Sequence, residues 1–203
     1  MEKQQAELEI NMIKKIIEDS RKIVVDDGIG YIVWGLLVFV GMISSYFAVL
    51  TKQYYYTIWI WVILISAGWA YSIISHFLRD SKKKASTLAG KILGGLWIST
   101  GISMTLIGFI GPLSHSISGY TINPLLSIML GIAYFVSGIV YGLAWVRNLA
   151  AGWWAGAIVM FFLQGIQSFL IFAALMALLQ IIPGIIMYKK FKKEYQPEIN
   201  GKF

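Results

Sequence analysis

The chain has 203 residues, is 58% hydrophobic and 13% charged, and has a mean hydropathy of +0.70, which places it among membrane proteins. With no cysteine and only His76 and His115, it excludes disulfides, thiolate or histidine metal clusters and a cysteine nucleophile, so no metal or cofactor is implied. The net charge of +7 is not a nucleic-acid signature here, because the basic residues sit beside apolar spans and set topology.

The 10 acids (Glu2, Glu7, Glu9, Glu18, Asp19, Asp26, Asp27, Asp80, Glu194 and Glu198) all lie outside the apolar runs. That argues against a proton-coupled pump or an acid/base enzyme. Paired carboxylates, a Ser/His/Asp set and a phosphate loop are all missing, so no catalysis is expected.

Residues 5–25 read as a cytoplasmic amphipathic helix, part of a leading segment 1–27. Ala6, Ile10, Ile13, Ile17 and Val24 recur at helical spacing, with Ile16 beside them. A helix lying on anionic lipid is usually basic, whereas this one carries acids and bases in equal number. Ile10, Ile13 and Ile17 are therefore candidate contacts to a partner protein or a second copy, forming a homo-oligomer. Lying flat on lipid and remaining unfolded are the alternatives. No cleaved signal peptide is expected, since the segment is long and mixed in charge. Asp26-Asp27-Gly28 provides a break into the membrane, and the Lys82-Lys83-Lys84 loop either meets those aspartates or stays solvated.

Residues 28–188 read as an all-α transmembrane domain of six helices, followed by a basic tail, 189–203. About 20 apolar residues span the hydrocarbon core. The first four spans are expected at about Ile29–Leu50, Tyr56–Leu78, Ile92–Gly111 and Leu125–Val146. The last apolar block, Leu149–Tyr188, is about 60 Å as helix and so makes two crossings, turning at Gly165, Gln167 and Ser168.

Charge supports the count. Of the 17 basic residues only Lys52 falls on the far side, so both termini are expected in the cytoplasm and the number of spans is even. Tyr54, Tyr55, Tyr56 and Trp59 read as the outer boundary, and Trp145, Trp153 and Trp154 as the inner one.

The spans also read as a possible triplicated hairpin. The copies enter through Trp34-Gly35, Gly94-Gly95-Leu96-Trp97 and Gly152-Trp153-Trp154, and leave through Leu78-Arg79, Val146-Arg147 and Tyr188-Lys189. This three-hairpin layout resembles the small bacterial HdeD-type acid-stress membrane proteins. The opening, Gly30-Tyr31-Ile32-Val33-Trp34-Gly35-Leu36-Leu37-Val38, is more similar to a group of uncharacterised bacterial six-helix proteins with a Trp-Gly first span. The resemblance implies a bacterial inner-membrane protein without known catalysis, and it transfers no functional residues.

Polar residues inside the spans are the candidate ligand site: Ser99 and Ser103 on the third, Tyr134, Ser137 and Tyr141 on the fourth, and Gln180, the amide deep in the sixth. Either they line a small polar cavity or they bond helices together. Ser72, Ser75, His76 and Arg79 form another polar face at the inner end of the second span. Gly90/Gly94, Gly138/Gly142 and Gly152/Gly156 predict close helix packing, and Pro183-Gly184 predicts a bend. His115 has no companion ligand in its loop. The leading expectation is a non-catalytic membrane protein acting through protein contacts, in stress response or regulation. The alternative is a small transporter or channel for a neutral or anionic solute.

Overall fold

The computed structural model describes residues 27–80 and 88–200, without the side chains of residues 79, 80, 88 and 194–200. The expected amphipathic helix with Ile10, Ile13 and Ile17, and the Lys82–Lys84 loop, lie outside the described residues.

Six long helices follow one another: α1 Ile29–Leu50, α2 Tyr54–Asp80, α3 Leu88–Leu113, α4 Gly119–Tyr141, α5 Ala144–Phe162 and α6 Gln167–Asn200. Five are long and apolar enough to cross a bilayer; α5 falls short because Arg147 and Asn148 occupy its first turns. The chain is an all-α polytopic membrane protein. The helices begin and end on local signals. The Asp27 carboxylate accepts from the backbone N–H of Ile29 at 3.2 Å, placing an acid at the start of α1. Gly142 closes α4 in the left-handed conformation (φ 67°), and the Leu143 N–H returns to the Gly138 carbonyl at 2.9 Å.

Two helices contain a π turn, Leu106–Ile110 in α3 and Met176–Ile181 in α6, and a proline follows each, at Pro112 and Pro183. Proline donates no N–H and its ring crowds the carbonyl four residues back, at Gly108 and Leu179. Both carbonyls lie inside a π turn, where the wider winding relieves that crowding. The expected bend at Pro183-Gly184 thus takes the form of a π turn, and α6 continues as helix past Tyr188 to Asn200.

The centre is built by α1, α4, α5 and α6. Only 11% of the α3 span and 6% of the α2 span are buried, against 44% of α4, so α2 and α3 flank the core. Glycine sets how closely the helices approach. A Cβ at Gly138 would overlap the Arg147 backbone, one at Gly131 the Trp154 indole, and one at Gly156 the Leu175 side chain. At Gly35 it would meet Ile181 at 2.7 Å, and at Gly68 of α2 it would meet the Trp34 indole at 2.6 Å. Gly28 lies against the Gly184 carbonyl, so the start of α1 sits beside the distal half of α6, as an even number of crossings requires.

Four expectations meet a different arrangement. The fourth span occupies Gly119–Tyr141 rather than Leu125–Val146, and Ala144-Trp145-Val146-Arg147 opens α5 instead of closing α4. The α4 helix and the α5 helix, which belong to different copies in the hairpin reading, form the most extensive helix pair. Trp153 is wholly buried in the core rather than marking the inner boundary. Gly142 serves the turn, so it is Gly138 alone of that pair that packs against a helix.

Gly138→Ala is expected to lower stability by about 2 kcal/mol or more, because the methyl meets backbone that cannot rotate away. Gly94→Ala, whose Cβ would meet nothing within 4 Å, is expected to stay within about 0.5 kcal/mol of the parent. Unfolding of both variants in one detergent checks the pair, and equal losses would contradict the packing described.

Candidate functional site

Gln180 lies in the α6 π turn, roughly 13 Å along the helix from Lys189 at 1.5 Å per residue. It is buried, and its Oε1 accepts from the Tyr134 hydroxyl at 3.5 Å, the long end of a hydrogen bond. Tyr134 is the hub of an aromatic cluster. Its ring meets Tyr31 of α1 at 5.7 Å, Trp97 of α3 at 5.7 Å and Trp153 of α5 at 6.0 Å between centroids. Tyr31 and Trp97 also meet edge to face at 5.2 Å, and Trp153 continues to Phe172 of α6 at 5.8 Å. Five helices thus supply one centre, held by ring packing of about 0.5–1.5 kcal/mol per pair beyond area burial.

Polar demand at this centre exceeds what the protein supplies. Among the described residues, the indole Nε1–H groups of Trp97 and Trp153 and the Ser137 hydroxyl are buried without a hydrogen-bond partner. Such groups cost about 1–3 kcal/mol each when left unmet, and lipid offers them nothing.

Of the sequence-predicted residues, Tyr134 and Gln180 come together, and Ser137 is buried one turn beyond Tyr134 on the same face. Tyr141 is half-buried at the last turn of α4, and Ser103 is half-buried on α3. Ser99 is exposed, and its hydroxyl is satisfied within its own helix by the Leu96 carbonyl at 3.0 Å, so it takes no part in the centre. Tyr31, Trp97 and Trp153 carry the site without having been singled out for it. The Gly-Trp entries that contain Trp97 and Trp153 were the available signal. The polar face of α2 splits: the Ser72 hydroxyl accepts from Trp34 Nε1 at 3.0 Å and Ser75 bonds the Ser72 carbonyl, while His76 is exposed against Phe77.

A second polar knot ties the other end of the bundle. Asn123 Nδ2 donates to Ser168 Oγ at 3.0 Å, and the Ser168 hydroxyl donates to the Gly165 carbonyl at 2.8 Å, joining the starts of α4 and α6. Between the two levels the Ser127 hydroxyl donates to the Trp153 carbonyl at 2.6 Å, fixing α5 on α4. These are satisfied packing contacts. A double-mutant cycle on Asn123→Ala and Ser168→Ala is expected to return a coupling of about 0.6 kcal/mol. Strict additivity would deny that the contact exists in the membrane.

No family model, curated protein or solved structure matches the chain. The chemistry of the centre therefore stands on its own geometry. Its polar groups are phenol hydroxyls, indole N–H groups, a serine hydroxyl and one amide, which can hydrogen-bond as neutral groups.

Proposed function

We propose that the chain is a non-catalytic integral membrane protein that acts through protein contacts, in stress response or regulation, in the cytoplasmic membrane of a bacterium with both termini inside. The observation that carries this reading is the filling of the interior. Each helix of the core presents glycine to a bulky neighbour, as Gly131 does to Trp154, Gly156 to Leu175 and Gly35 to Ile181. A bundle packed in this way favours a rigid support over a solute path. Support for contacts within the bilayer comes from α2 and α3, which display large apolar side chains such as Ile63, Ile74, Ile98 and Ile102 around a core they scarcely enter. The bacterial setting rests on the likeness of the first span to uncharacterised six-helix proteins. The inward termini rest on the one-sided distribution of lysine and arginine.

Two measurements test this. Proteoliposomes are expected to show no more flux of small neutral or anionic solutes than empty vesicles, and saturable flux would replace the reading with the transporter. In cells, photoreactive residues at Ile63 and Ile98 are expected to give one discrete protein adduct each, and adducts with lipid alone would overturn the contact role.

Orientation is tested separately. Single cysteines are clean probes because the chain has none of its own. Tyr55→Cys and Ser116→Cys are expected to label from outside with an impermeant reagent, whereas Asn148→Cys and Lys193→Cys are not. Outside labelling at Lys193 would reverse the inward C-terminus.

A further inference from the structure

Two of the unmet groups at the Tyr134 centre, the indoles, have a sign, whereas the Ser137 hydroxyl can donate or accept. An indole N–H donates and cannot accept, so what Trp97 and Trp153 lack is an acceptor. Trp153 is wholly buried (0% exposed), and no rotation of its own carries that donor to water. The adjacent amide is loosely engaged, since 3.5 Å to the Tyr134 hydroxyl leaves Gln180 free to take a better-placed partner.

Access is from the side. Trp97 is only partly buried, on a helix that faces lipid over most of its surface. One turn before it on the same face, Gly94 has open space where a side chain would stand. The surface of α3 is therefore low beside the one indole that connects the centre to the bilayer. Between α4, α5 and α6, by contrast, Gly131, Gly152 and Gly156 are each closed off by a neighbouring side chain.

We propose that the Tyr134 centre binds the oxygen-bearing head of a neutral amphiphile, entering laterally from lipid past Gly94 and Trp97 of α3. Carbonyl or ether oxygens of a quinone-like ring accept from the Trp97 and Trp153 indoles, with Gln180 as the third polar contact. A cation is the wrong ligand despite the number of aromatic rings. Cation–π binding uses ring faces, and here Tyr31, Trp97 and Tyr134 already pack on one another edge to face at 5.2–5.7 Å. Desolvating an ion would also be costly where no carboxylate shares the span. The head seats at the indole edges, and the tail lies along α3 in the bilayer. The site is a lateral one and is independent of the contact role of α2 and α3.

The test uses the full chain in lipid nanodiscs with ¹⁵N-labelled indoles. Signals of Trp97 and Trp153 are identified by their loss in Trp97→Phe and Trp153→Phe. Three probes of equal chain length are titrated: a decyl-substituted benzoquinone, decylbenzene and decyltrimethylammonium. The quinone is expected to shift both indole signals saturably, the other two probes are not, and each Phe substitution is expected to weaken quinone binding about tenfold, the worth of one hydrogen bond. Trp59→Phe, at an exposed position on α2, is expected to leave it unchanged. Indole signals that stay still with the quinone, or that move equally with decylbenzene, overturn the proposal, and so does preference for the ammonium probe. Should Trp153→Phe fail to fold, the parent titration and Trp97→Phe decide the matter.

Discussion

The closeness of α4 to α5 is the constraint on which the rest of the bundle depends. Their axes approach until Gly138 touches the backbone at Arg147 and Gly131 receives the Trp154 ring, distances that only a residue without a side chain permits. In lipid this matters more than in water, because helix association there has no hydrophobic drive and relies on dispersion contact and hydrogen bonds. Once the pair is formed, Ser127 reaches the Trp153 carbonyl and Trp153 is held with its ring on Tyr134. The aromatic centre is thus a consequence of backbone proximity about one turn to either side of Tyr134. The α6 helix then closes over it through Leu175 at Gly156 and Leu179 at Gly152, and α1 through Gly35 on Ile181.

The two π turns belong to the same logic. A membrane helix leaves no water to rescue a displaced carbonyl, so a proline must be absorbed within the helix or by a neighbour. In α3 the π turn lies near the loop to α4 and buries no residue, so it only accommodates Pro112. In α6 it lies in the core, and Met176 and Gln180 are buried within it. The same backbone solution is neutral in one helix and places the amide of the centre in the other. What separates them is position in the bundle.

This separates what was legible in the chain from what was not. The spans were legible because apolar runs of membrane length and one-sided lysines are strong, local signals. The end of α4 was misplaced because Gly142-Leu143 is a two-residue turn inside an unbroken apolar run, and the left-handed conformation at Gly142 was a weaker cue than the arginine beyond it. Tyr134 and Gln180 were legible as isolated polar residues in lipid. Ser99 was paired with Ser103 by helical spacing, but spacing names a face without saying what that face meets. On α3 most faces meet lipid, and Ser99 solves its problem alone through the Leu96 carbonyl. Trp153 was hidden by its own kind, since a tryptophan near a basic cluster reads as an interfacial anchor while its neighbour Trp154 remains partly exposed.

The distribution of unmet polar groups carries the functional argument further than their number. At the end where α4 and α6 begin, Asn123, Ser168 and Gly165 satisfy one another, and between the levels Ser127 finds a carbonyl. The Ser45 hydroxyl of α1 and the Thr57 hydroxyl of α2 are buried without a partner among the described residues as well, but each of these can donate or accept. At the Tyr134 centre the deficit is of one sign at both indoles, on two different helices that converge on a single ring. Two indole donors packed on the ring whose hydroxyl holds the amide loosely define a complement. The chemistry of that complement is an uncharged acceptor, and the open surface at Gly94 gives it an approach from the side of α3. A protein that meets its partners with α2 and α3 would then carry, on the inner side of α3, a site that senses what is dissolved in the membrane rather than what is dissolved in water.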